Sequence, residues 1–263
     1  MGSPTKSTAR AEASTANTPS TNGASPVFAS TRWSIVASAA LDGKDPATRD
    51  ALERLCESYW YPIYAYARRK GIGREDARDL VQGFFARLIE KHDFAQADAE
   101  RGRFRSFLLT CFEHFRANEW KKQAAQKRGG GAAPLSLDAA RGEDRWLLEP
   151  MGNEDPEREF HRTWARTLLE EVMRRLRAEY EHGGKGDVYD RLRPVLSGDV
   201  ESAEYKQIAA AIGATEGAVR VAAHRLRKRF GEILRLEIAH TVRDGAEVEE
   251  EIRGLFEALE PNT

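Results

Sequence analysis

The chain is poor in cysteine and has no long apolar run. Cysteine occurs twice in 263 residues, at Cys56 and Cys111. The two form no Cys-x-x-Cys and no metal-ligand spacing. Both stand in apolar, helix-patterned surroundings, so they read as small buried hydrophobes rather than as a disulfide. No apolar stretch approaches the ~20 residues that a membrane-spanning helix needs. The N-terminal segment lacks a signal-peptide core. These absences predict a reduced, cytoplasmic setting without membrane contact. Catalytic signatures are missing too: there is no Ser-His-Asp set, no phosphate-binding glycine loop and no His-Glu-x-x-His. The expectation is a protein that is not an enzyme and carries no cofactor and no metal. Two Glu-x-x-His stretches, Glu179 to His182 and Glu237 to His240, have the spacing used in helical di-iron bundles. Gly183 and Gly184 would stop the first of those helices at once, and the segment between them is built of short helices, so that reading is set aside.

Charge is plentiful but nearly cancels. Lys and Arg number 41 against 42 Asp and Glu, a net of −1. The sum says nothing about partners, whereas the distribution does. From Ala218 to Arg235 there are six basic residues and one acid, Glu232. A solvated surface helix usually mixes signs. The stretch from 244 to 260, DGAEVEEEIRGLFEALE, is strongly acidic. Opposite charge on neighbouring segments predicts that the acidic end restrains the basic helix electrostatically, the alternative being a structural brace.

The basic stretch belongs to YKQIAAAIGATEGAVRVAAHRLRKRF, residues 205–230. Ile208, Ala209 and Ile212 give one short helix an apolar face. Gly213 supplies a left-handed residue that ends a helix at little cost, and Thr215 is a good N-cap for the next one. Val219, Ala222, Leu226 and Phe230 then recur at helical spacing and are expected to pack inward. Arg220, His224, Arg227 and Lys228 fall largely on the other side. Helix, glycine turn and basic helix make a helix-turn-helix, whose second helix suits the major groove of DNA.

Along the chain, residues 1–27 are Ser/Thr/Ala/Asn/Gly-rich and are expected to be a disordered tail. Residues 28–126 are helix-patterned nearly throughout. Leu80, Val81, Phe84, Phe85, Leu88 and Ile89 form one apolar stripe, and Phe104, Phe107, Leu108, Cys111, Phe112 and Phe115 another. Residues 127–156 contain KRGGGAAP and read as a linker. Residues 157–238 carry the helix-turn-helix, and 239–263 an acidic, amphipathic final helix. No strand-like alternation persists. The predicted fold is all-α, two helical domains joined by a flexible linker, the second a helix-turn-helix without a wing.

Two further motifs stand ahead of the helix-turn-helix. REDARDLVQGFFARL (74–88) puts Glu75, Asp76 and Asp79 at the start of a helix, where carboxylates complement the positive dipole end and also suit a basic partner surface. RGRFRSFLLTCFEHFRANEWKK (101–122) interleaves Arg101, Arg103 and Arg105 with Phe104 and Phe107, basic residues for phosphates beside rings for unstacked bases. The competing reading puts both phenylalanines in the core.

In this order the segments resemble the RNA polymerase sigma factors of bacteria, the extracytoplasmic-function branch of the sigma-70 family. QKRGGG, LSLD at 135–138 and EIAHTV at 237–242 resemble a subgroup with a C-terminal extension. The resemblance covers roughly residues 28–230. It implies a subunit that binds core RNA polymerase and directs transcription initiation at promoter DNA. Glu75, Asp76, Asp79 and Gln82 would meet the polymerase clamp. Arg101, Arg103, Phe104, Arg105, His114, Asn118, Lys121 and Lys122 would melt and hold the −10 element. Arg220, Val221 and His224 would face −35 bases, Arg225, Arg227 and Lys228 the phosphates, and Thr215 at the head of the helix completes that set. Arg78 stands where the family usually has an acid, which predicts weaker docking on the clamp. An anti-sigma factor or another regulator joins the partners that the resemblance allows. The alternative is a stand-alone helix-turn-helix regulator, which needs neither the acidic helix nor the Arg/Phe segment.

Overall fold

The computed structural model of the chain describes residues 46–91, 103–125, 145–146, 155–198, 202–242 and 245–260. Among these residues every regular element is helical and there is no strand, as the missing alternation predicted. The principal helices are α1 (Pro46–Arg69), α2 (Arg74–Lys91), α3 (Phe104–Ala125), α4 (Pro156–His182), α5 (Gly186–Leu192), α6 (Ser202–Ile212), α7 (Glu216–Ala239) and α8 (Val248–Leu259). A 3-10 turn, Arg193–Leu196, follows α5, and another, Gly245–Glu247, leads into α8. The expected tail, the first residues of the expected 28–126 domain, and most of the expected linker lie outside the described residues.

Local sequence explains most of the boundaries. Gly71, at φ 81°, closes α1, and the Ile72 amide donates back to the Ala67 carbonyl at 3.2 Å. That six-to-one bond with a left-handed glycine satisfies carbonyls the helix end would leave bare. Asp155 caps α4 by accepting from the Glu157 amide at 3.4 Å, and Pro156 fills the first helical position, where no amide partner is needed. Gly184, at φ 65°, ends it. Pro62 lies inside α1 and removes one amide from its ladder. The helix runs on because Tyr59, Ile63 and Tyr66 around it are all buried.

Four of the residues read as the α2 stripe are buried: Val81, Phe84, Phe85 and Leu88. Leu80 is partly buried, and the side chain of Ile89 lies outside the described set. In α3, Phe104, Leu108 and Phe112 are buried and Phe107, Cys111 and Phe115 pack partly buried against them. Phe112 meets Phe84 edge-on at 5.3 Å between centroids. In α7, Val219 and Leu226 face inward as expected, but Ala223 is buried where Ala222 and Phe230 are only half covered.

The long α4 organises the molecule. It packs along α1 on one side and against α7 and α8 on the other. Its Phe160, Trp164, Val172 and Leu176 are almost wholly buried, and the apolar cluster runs without a break from Cys56 to Leu255. Described helices on either side of residues 127–156 therefore contribute to one apolar cluster. From that stretch Trp146 is seen buried, with the Arg69 guanidinium 4.8 Å from its ring centroid. Arg145 beside it lies over the Tyr61 ring at 4.0 Å and pairs with Glu170 at 2.8 Å.

Candidate nucleic-acid interface

The segment joining α6 to α7 is built as its residues suggest. Gly213 sits at φ 64° with open space around it, and the Ala214 amide donates to the Ala209 carbonyl at 3.0 Å. The Thr215 hydroxyl accepts from the Ala218 amide at 3.2 Å and caps α7. Behind the turn, Tyr205, Ala209, Val219, Ala223 and Leu226 lock the two helices together. In front, Val221, His224, Arg225 and Lys228 are all exposed. Their i, i+3, i+4, i+7 spacing puts them on one helix face. Val221 is a large apolar side chain left in water.

Two arginines of this set are already engaged. Arg220 pairs with Glu216 one turn back at 2.8 Å and lies over the Tyr205 ring at 4.6 Å. Arg227 turns to the 3-10 segment, its Nε donating to the Val195 carbonyl at 3.2 Å and an Nη to the Gly198 carbonyl at 3.4 Å. Arg227 thus ties α7 to its own scaffold instead of projecting from the face. Arg229 is bound likewise by Glu179 and Glu232, at 2.7 and 2.8 Å. The run of base read from sequence is in this way partly consumed by internal pairing.

The start of α3 differs most from expectation. Phe104 is buried edge-on against Tyr59 at 5.2 Å, so it is a core ring and no base platform in this arrangement. Arg105 is 3% exposed, pairs with Glu251 of α8, and lies over the Trp164 ring at 4.2 Å. Arg103, half-exposed, reaches Glu251 at 3.2 Å and Glu250 at 3.7 Å. Burial holds the Glu251 carboxyl above the usual carboxylate range, and the two guanidinium groups offset that rise only in part. His161 of α4 lies in the same field. Burial, reinforced by Arg105 and Arg103, pushes its imidazole down to about 4. Further along α3, His114, Asn118 and Lys121 are exposed on one face. Arg101 and the Lys122 side chain lie outside the described residues.

The acidic end thus docks elsewhere than on the basic face of α7. Its helix α8 touches α7 through Arg235, which holds Glu249 at 2.8 Å. Glu250 and Glu251 go to the head of α3 instead. On α2, Glu75, Asp76 and Asp79 are exposed in the first turns and Gln82 is half-buried. Arg78 pairs locally, with Glu75 at 3.4 Å and Asp79 at 3.7 Å.

Two features escaped the reading by motif. Trp120 is 66% exposed on α3 between Asn118 and Lys121. The signal was there, since Trp120 falls off the stripe drawn by Leu108, Phe112 and Phe115. Glu251 is the other. In the apolar pattern Val248, Ile252, Leu255 and Leu259 it falls on the inward face, and a carboxylate there calls for a buried cation. No protein-family model matches the chain, and neither a curated protein nor a solved structure does. Among the described residues no cluster of His, Cys, Asp and Glu could hold a metal ion, and no helix is long and apolar enough to cross a membrane.

Proposed function

We propose that the protein is a sigma factor of the extracytoplasmic-function type, a dissociable subunit that brings core RNA polymerase to promoter DNA. The observation that carries this reading is the exposed face of α7, with Val221, His224, Arg225 and Lys228 presented behind a glycine turn and a threonine cap. Such a helix suits the major groove, where His224 reaches a base edge, Val221 meets a thymine methyl, and Arg225 and Lys228 hold the phosphates. In this reading α6 and α7 form a helix-turn-helix that anchors the −35 duplex. The exposed carboxylates of α2 meet the clamp, and α3, with His114, Asn118, Lys121 and the exposed Trp120, handles the −10 strand. Bond-making belongs to the polymerase, so the chain needs no cofactor of its own.

The test is co-purification with core polymerase, followed by transcription from promoters with each −35 base changed. His224→Ala is expected to weaken recognition by ~1–3 kcal/mol and relax the preference at one base. Lys228→Ala is expected to weaken all sequences alike and flatten the salt dependence. Unaltered base preference in His224→Ala removes it from the readout. Burial of Phe104 and Arg105 favours a second reading, a stand-alone regulator that binds duplex DNA through α7. Duplex binding without polymerase binding would select it.

A further inference from the structure

Two guanidinium groups converge where α3 begins, those of Arg103 and Arg105, and both reach the same carboxylate. The positive end of the α3 dipole adds to them. Such a cluster is a place for phosphate, and carboxylates occupy it. Glu251 takes both arginines and Glu250 shares Arg103. The fit is close. A Cβ on Gly254 would come within 2.5 Å of an Arg103 Nη and 2.9 Å of an Arg105 Nη, so the guanidinium groups lie against bare α8 backbone.

We propose that α8 is an intramolecular stand-in for a nucleic-acid backbone, and that the head of α3 opens to a single strand only when α8 leaves. The proposal deepens the sigma-factor reading by naming what controls its strand-holding surface. The energetics suit a removable part. A helix of 12 residues is marginal in water by itself. A brace meant to stay would bury leucine at position 251, since a buried ion pair is often no more stable than a well-packed apolar replacement. An ion pair gives the site a choice of anions instead. The exposed face of α7 is not covered by α8, so the restraint acts on single-strand contact and leaves duplex contact alone.

Three measurements on the full chain test this without polymerase, so that failure of the sigma-factor reading stays distinguishable. In the first, a twenty-base oligothymidine is bound to the unaltered protein and amide exchange is followed. Protection of α8 is expected to fall in step with the bound fraction, and binding with α8 protection unchanged would overturn the proposal. In the second, Gly254→Leu crowds Arg103 and Arg105 while raising helix propensity in α8. It is expected to raise oligothymidine affinity about five-fold or more and leave duplex affinity unchanged. In the third, Glu251→Gln is expected to move affinity the same way, and Glu249→Gln, at a residue whose ion pair is with Arg235 on α7, is expected not to. If α8 is released in Gly254→Leu by exchange and strand affinity stays flat, α8 is a brace and the proposal fails. Should Gly254→Leu not fold, the exchange measurement on the unaltered chain decides alone. Loss of polymerase binding in a separate assay would count against the sigma-factor reading only.

Discussion

At the scale of single residues, the chemistry of this chain is decided by which charges find partners inside it. His161 is the clearest case. Its folded value of about 4 lies below the ordinary 6.5 because burial and two arginines disfavour the imidazolium. The unfolded chain therefore binds more protons between those values, so this contribution to stability is complete above pH ~6.5 and is lost as pH falls toward 4. Thermal melts across that window are expected to show a decline that His161→Gln lessens, and identical slopes would remove His161 from the account. Arg78 is a milder case. Its pairs with Glu75 and Asp79 are surface pairs, worth ~0.2–1 kcal/mol together. Arg78→Glu is expected to lower the melting temperature slightly, and a rise in affinity for core polymerase would show that its charge also opposes the clamp. Helical spacing assigned both residues to a helix and gave Arg78 its local partner, Glu75. It could not pair Arg105 with Glu251, because 146 positions separate them and only the fold joins those two helices.

At the scale of elements, the α6–α7 turn was legible to the residue. Gly213 and Thr215 announce it by backbone freedom and by a hydroxyl at the cap, and both features are local. The consequences differ in sign from one glycine to the next. Gly213→Ala is expected to cost ~1–2 kcal/mol, because its positive φ penalises a Cβ even in open space. Gly217→Ala, inside α7 and equally open, is expected to stabilise by up to ~1 kcal/mol. Thr215→Ala is expected to cost ~1 kcal/mol. Denaturant titration of the three variants checks the pattern, and equal effects at the two glycines would contradict the assigned backbone. The inward residues of α7 were less legible. With apolar side chains at both 222 and 223, a 3.6-residue period does not choose between them until α4 and α6 take their places.

At the scale of the molecule, α4 joins the other helices. Because it packs on α1 as well as on α7 and α8, the described helices share one core. Phe112→Ala in the α2–α3 half is expected to cost ~3–5 kcal/mol and Leu226→Ala in α7 ~2–5 kcal/mol. Both are expected to shift a single calorimetric transition, and two transitions moving separately would show that α4 belongs to one half only. The helical class was readable because alternation is absent over the whole chain. The mutual packing was not, since glycine and proline between 127 and 156 report a break in helix and say nothing about what the flanking helices touch.

The pairing of Arg105 with Glu251 also sets an order in time. Ribosomes add about 5–20 residues per second, so the carboxylate for Arg105 is made on the order of ten seconds or more after the arginine, 146 residues later. Until then the newborn chain holds a charge destined for burial without the carboxylate that neutralises it. The head of α3 is expected to stay hydrated through that interval, so the half-made protein keeps in water an arginine that the finished one buries.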